Sequence, residues 1–430
     1  MRKHRHKLLR KPINDDSYHN RYHYELYRRL RVYRLIRDNV TQEENRGWQP
    51  DSGFFFSSPF RSLYTQGRFM ALTTPAGDGF DTGGVFQRTL QQAFARARAA
   101  GIAEPVVVGA IPFDASRPSA LFIPRQSHWF CRTGLTMPVL NDCPSLPDIV
   151  TTQPRPNRDI FIDLASQAVR ATREGKLTKV VLSRLLDIEL SAPVDHRVLL
   201  ARLLAREPDA YHFYVPLDDG ALLGASPELL LRKSGRDLHS TPLAGSAARA
   251  NIPPADRRAG QQLLDSAKDG YEHRVVINEM RRVLTSRCRQ LHIPETPQLL
   301  STATLWHLAT AISGETATDA DNALSLACLL HPTPALCGYP TDTARRLIAD
   351  LEPFERGLFG GIVGWCDAQG NGEWVVTIRC GEVRENRVRL FAGAGIVPDS
   401  QPVSEWNETG VKLSTMLHAF GITDHRECVA

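Results

Sequence analysis

No stretch of the 430 residues approaches the roughly 18–20 consecutive apolar side chains that a membrane-spanning helix needs, which argues against a helical membrane protein. Cysteine is scarce: eight residues, at 131, 143, 288, 328, 337, 366, 380 and 428, with no C-x-x-C pair and no His/Cys cluster at zinc spacing. That argues against a disulfide framework or a zinc module, and segments such as SLACLL and ALCG read as reduced core positions. The N-terminus has no apolar signal-peptide region, so the cytoplasm is the expected compartment. Also missing are G-x-G-x-x-G, the Walker A loop, G-x-S-x-G and H-E-x-x-H, so no familiar dinucleotide, nucleotide-phosphate, serine-hydrolase or zinc-protease site is written in the chain.

What is present is an ordinary globular composition, 42% hydrophobic and 23% charged, with its charge unevenly placed. Residues 1–46 hold 13 Lys and Arg against 6 Asp and Glu, and the other 384 hold 39 against 41, so the net +5 belongs to an N-terminal arm. Within it, residues 21–37 space Tyr22, Leu26, Leu30 and Tyr33 as a basic amphipathic helix. The arm reads as a solvated extension, with no nucleic acid expected as a partner. Length alone allows two or three domains, or one large unit.

From Trp48 onward, short apolar segments (FFFSSPF, VVVGAIPF, ALFIPR) alternate with Gly, Pro and Asp and read as strands. A short helix is expected at 93–100, and a surface connection at the proline-rich 133–156. Helices follow at 161–174, 195–206, 257–288, 323–330, 342–351 and 404–420. Strands are expected at 179–190, 210–216, 220–224, 229–233, 358–365, 373–380 and 387–392. Because strands come in runs and regular βαβ alternation is missing, the expected class is α+β with a large, mainly antiparallel sheet system.

Several acids stand where the pattern would place hydrophobics. In SAKDGYEHRVVINEMRRVL the apolar stripe Val276, Met280, Val283 steps back onto Glu272, a costly position unless the carboxylate is paired or binds a cation. An ion pair with Arg282 or a fraying helix end would also explain it. In SEWNETGVKLSTML, Glu405, Glu408 and Lys412 share one helical face, as an ordinary Glu–Lys surface pair would too. FAGAGIVPDS reads as a turn in which Gly393 and Gly395 expose backbone N–H groups, and TPLAGSAAR as a second turn at Gly245 and Ser246. Glu228, after the Ser-Pro of GASPELLLRK, reads as a strand-edge charge or a functional acid. The residues support oxygen ligands for a hard divalent cation and a lysine base, and they name no substrate.

The ordered set KVVLSR, GASPELLLRK, PLAGS, KDGYEH, LWHLAT, HPTPALCGYP, LFGGIVGW, EWVVTIRC and FAGAGIVPDSQPVSEWNETGVKLSTML closely resembles the isochorismate synthases of catechol siderophore (enterobactin-type) pathways, from about Gly53 to the C-terminus. The resemblance implies the chorismate-utilising enzyme fold, a large antiparallel sheet sandwich flanked by helices in one α+β catalytic domain (47–430), and Mg²⁺ as cofactor. It implies Lys179 as the base activating water against C2 of chorismate and Glu228 as the acid protonating the departing C4 hydroxyl. A lysine base needs its pKa brought down from about 10.4, and a glutamic acid needs an apolar wall to stay protonated. Glu272 and Glu408 become Mg²⁺ ligands, with Glu405 a water-mediated partner. Gly245, Ser246, His307, Ala335, Leu336, Arg379, Gly395 and Lys412 become substrate-binding residues. His307 also has a structural reading.

Related enzymes that use ammonia or eliminate pyruvate usually carry threonine where this chain has Ala335, so salicylate synthase ranks second and a menaquinone-pathway isochorismate synthase is a further alternative. A binding module with a degenerate body is the reading from another class, which the intact Lys179, Glu228, Glu272 and Glu408 oppose. The resemblance implies a monomer, with contact to downstream pathway enzymes conceivable.

Overall fold

The computed structural model describes residues 53–132 and 144–422. The expected basic helix at 21–37 and the arm lie outside the described residues, as does the first part of the expected 133–156 connection. Within them are twenty strands and eight helices. Seventeen strands join one sheet and three form a second, every pairing antiparallel.

Hydrogen bonds trace the large sheet as two halves. The first runs from Ile149–Arg155 through Lys179–Leu190, Arg387–Ile396, Cys380–Arg384 and Gly220–Ser226 to Tyr211–Leu217. The three-residue strand Phe55–Ser57 pairs with both Tyr211–Leu217 and Ser62–Leu72, and so joins the halves. The second continues through Ala120–Phe130, Val106–Ile111, Ile362–Asp367, Gly372–Val376 and Leu229–Ser234 to Asp237–Thr241, Ile312–Thr316 and Cys288–His292. Leu185, Phe213, Leu222 and Phe391 of the first half share one core with Ile362, Trp365 and Trp374 of the second. A separate core packs the first half against the helices Arg158–Arg173, His196–Arg206 and Pro402–Ala419. Burial of this extent is the main stabilising contribution, at about 25 cal/mol per Å² of apolar surface.

Two of the connections between the halves position the site. The expected strand at 373–380 is in fact two, Gly372–Val376 in one half and Cys380–Arg384 in the other, because Arg379 takes a left-handed φ of 50° that ends extended pairing. Gly220–Ser226 and Leu229–Ser234 likewise belong to different halves, with Glu228 at the crossing. The expected helix at 257–288 breaks into Pro253–Asp265 and Ala267–Thr285 at Ser266, whose side chain accepts the Asp269 N–H as an N-cap. Residues 93–100 are the end of a longer helix, Val85–Ala99, and part of the expected connection is the edge strand Ile149–Arg155. Lys179–Leu190 and Ala323–Leu330 have the expected bounds, and the other expected helices and strands appear with bounds moved by a few residues, the 358–365 strand starting latest, at Ile362. Of the six described cysteines, all free, four are buried. No described helix is long and apolar enough to cross a membrane.

Candidate active site

Lys179 opens the strand Lys179–Leu190 and is fully buried, its Nζ 2.8 Å from Glu272 Oε1. Glu272 is carried in by the stripe of the Ala267–Thr285 helix, whose Val276 and Met280 are buried in the core. Arg282, the alternative partner, pairs instead with Glu279 at 2.6 Å. Gly393 and Gly395 sit in a strand, not in a turn, opposite Ser183 and Val181. A Cβ on Gly395 would overlap Glu272 Oε1 and come within 3.0 Å of Lys179 Cε, so the absent side chain lets the ion pair approach the backbone.

The second group of charges comes from the Pro402–Ala419 helix. Glu408 and Lys412 form the expected i,i+4 pair at 2.6 Å, but largely shielded, with 19% and 16% of the side chains accessible. Lys412 Nζ also donates to the Gly393 carbonyl at 2.8 Å, and Ser246 Oγ donates to Glu408 Oε1 at 3.1 Å. Glu405 pairs with Lys268 at 2.8 Å. Lys268 was not among the expected site residues, although it lies one helical turn before Glu272 in KDGYEH and that spacing was the signal for it. Burial disfavours the Glu408 carboxylate, yet Lys412 and Lys268 together hold its pKa below the ordinary range. Burial and the neighbouring Glu408 charge push Glu405 up.

On the other side of the site Glu228 is 2% exposed and nearly alone. Burial raises its pKa to about 7, against weaker opposition from the Leu243 N–H, 3.4 Å from Oε1, and from Lys179, Arg379 and Lys412. Arg379 is buried, which lowers its pKa, with Glu207, Glu408 and Glu228 working the other way. His307, opposite Ser246 in the three-stranded sheet, is held neutral by burial, and its buried Nε2 has no hydrogen-bond partner among the described residues. Gly245 lies not in a turn but at a strand irregularity between Leu243 and Ser246, with φ 82°.

The corner HPTPALCGYP follows the buried helix Ala323–Leu330 and is stitched to the lysine strand. Gly338 and Tyr339 pair with Val180 and Lys179, and the Val181 N–H donates to the Cys337 carbonyl at 2.8 Å. Ala335 and Leu336 thereby face a narrow cleft. All twelve expected site residues gather here: ten line the cleft, while Lys179 and Glu408 stand behind Glu272 and Ser246. The apolar walls Phe359 and Phe391, stacked at 5.0 Å, were not expected, since a buried aromatic in a strand carries no sign of which cavity it lines. Among the described residues no three His, Cys, Asp or Glu converge as a ready-made metal cage. Glu272 and Glu408, two hard oxygen donors, nonetheless fit Mg²⁺, which takes few carboxylates and keeps several waters.

The family model for chorismate binding enzymes matches residues 138–421. The chain is 53% identical over 371 residues to isochorismate synthase EntC of Escherichia coli, covering 86% of this chain and 95% of that one. It is 40% identical over 385 residues to isochorismate synthase DhbC of Bacillus subtilis, covering 88% and 95%. The crystal structure of DhbC from Bacillus anthracis superposes with a TM-score of 0.82 at 37% identity, over 90% of this chain and 99% of that one. With these likenesses spanning the whole cleft, the chain belongs to the chorismate-binding enzyme family.

Proposed function

We propose that the protein is an isochorismate synthase, an isomerase converting chorismate to isochorismate and supplying catechol siderophore biosynthesis. The observation that carries this reading is Glu228: a carboxyl with its pKa raised to about 7 lines a cleft behind whose Glu272 wall stands a buried lysine, which supports a proton donor and a base serving one site. Lys179 takes a proton from a water as its oxygen bonds to C2 of chorismate. The electron pair displaced from C2 moves around the ring, both ring double bonds shifting by one position, the C4–O bond breaks, and Glu228 gives its proton to the departing hydroxide, which leaves as water. One water enters and one leaves, so the change is an isomerisation.

Arg379 offers a planar fork to a substrate carboxylate, and Ser246, Gly245, Gly395, His307 and Lys412 complete the polar lining. Mg²⁺ would be held by Glu272 and Glu408, with Glu405 behind them, and would supply positive charge for the ring carboxylate. Ala335 brings no hydroxyl to the ring, which leaves the activated water to Lys179. The test is the product profile from chorismate and Mg²⁺ with the purified chain. Isochorismate alone is expected, whereas salicylate and pyruvate without a separate lyase would establish the salicylate synthase reading instead.

A further inference from the structure

One edge of the Lys179–Leu190 strand is covered in two places and bare between them. Tyr339 and Gly338 pair with Lys179 and Val180 at one end, and Arg155 begins pairing again at Leu185. The gap is closed by an ion pair instead of a strand. Arg356 and Glu352, whose side chains are 2% and 3% exposed, form a bidentate contact: Nε donates to Glu352 Oε2 at 2.8 Å and an Nη to Oε1 at 2.5 Å. The same guanidinium donates to the Val181 carbonyl at 2.8 Å and the Leu336 carbonyl at 2.7 Å, while Glu352 Oε1 accepts the Ser183 N–H at 2.7 Å. The Phe113 ring lies 4.4 Å from the guanidinium carbon.

A buried ion pair is a costly way to satisfy three backbone groups, and in stability terms an apolar replacement is often neutral. What it adds here is placement. Leu336 belongs to the corner that presents Ala335, and Val181 lies two residues from the Lys179 base on the same strand face. We propose that Arg356 and Glu352 are positioning residues for the reaction: they fix the distance between the Lys179 strand and the Ala335–Leu336 corner, and hence the place of the activated water relative to the ring. A misplacement of about 1 Å costs on the order of 10²-fold in rate. The inference rests on the isochorismate synthase reading.

The test uses Arg356→Lys and Glu352→Asp in the full chain. Lysine keeps the charge but cannot bridge two carbonyls and a carboxylate, and aspartate keeps the charge but retracts it by one methylene. Wild type must first convert chorismate to isochorismate, and failure there would remove the underlying reading, not this one. Arg356→Lys is expected to lower kcat by about tenfold or more and Glu352→Asp by about threefold, with KM changed less than kcat at a temperature well below both melting points. If the melting points fall while kcat stays within about twofold of wild type, the pair is purely structural and the proposal is overturned. Should Arg356→Lys not fold, Glu352→Asp decides alone by the same split.

Discussion

Glu228 and Glu408 belong to one site, yet their surroundings push them in opposite directions. Around Glu408 stand Lys412 and Lys268, with the Ser246 hydroxyl donating to it, and its carboxylate is held ionised. Around Glu228 stand Leu243 and Pro227, with one backbone N–H at 3.4 Å, and burial lifts its pKa to about 7. Residue type alone does not assign chemistry. The charge-rich wall suits cation binding and the dry wall suits proton donation. The two walls come from different places: the first from the helices Ala267–Thr285 and Pro402–Ala419, the second from a crossing between sheet halves.

The contrast can be broken most severely by removing either end of the proton path. Lys179→Ala and Glu228→Gln should each lower kcat by about 10²–10⁴-fold in a steady-state assay with chorismate, and unchanged turnover would refute the assigned roles. Next in size is Gly395→Ala, whose Cβ would overlap Glu272 Oε1. It should weaken Mg²⁺ binding, measured calorimetrically, and reduce kcat by at least tenfold. Ala335→Thr should alter the rate or the product mixture with the melting point retained, as chromatography of the products would show. Unaltered kinetics and products would return the corner to a structural role.

Stability separates the two carboxylates as well. A glutamate whose folded pKa is raised from 4.5 to about 7 carries no penalty below pH 4.5, loses stability as pH rises towards 7, and levels off above it. The cost above pH 7 is roughly 3 kcal/mol for a fully buried group. Glu228→Gln should therefore unfold at higher denaturant than wild type at pH 8 and at nearly the same denaturant at pH 4.5. The smallest effect concerns the arm: deleting residues 1–46 should leave kcat/KM within about twofold, and a large loss would give the arm a role in the reaction.

Much of this was legible in the residues. The strand Lys179–Leu190 and the helix Ala323–Leu330 have the bounds expected from their apolar runs, and the antiparallel class followed from the order of strands. The break at Ser266 was missed although its signal is in the residues: Asp265, Ser266, Asp269 and Gly270 are poor helix formers, and Ser266 followed three residues on by Asp269 is an N-cap pattern. Ile149–Arg155 was missed because an edge strand reading IVTTQPR is polar and contains proline. In the site, spacing alone left Glu272, Glu408 and Glu228 with ordinary explanations. Roles came from the resemblance; the Glu408–Lys412 pair was readable from its i,i+4 spacing, whereas the pairing of Glu272 with Lys179 and of Glu405 with Lys268 came only from the fold. The strand-edge gap filled by Arg356 and Glu352 has no local pattern, since its three backbone partners lie in segments distant in sequence.

Infrared difference spectroscopy of wild type against Glu228→Gln across pH 5–9 shows whether the cleft keeps Glu228 protonated while Glu408 stays ionised. A protonated carboxyl band present only in wild type, titrating away with a midpoint near 7, is the predicted result. If that band is absent at pH 6, Glu228 is ionised in the working range and cannot be the acid.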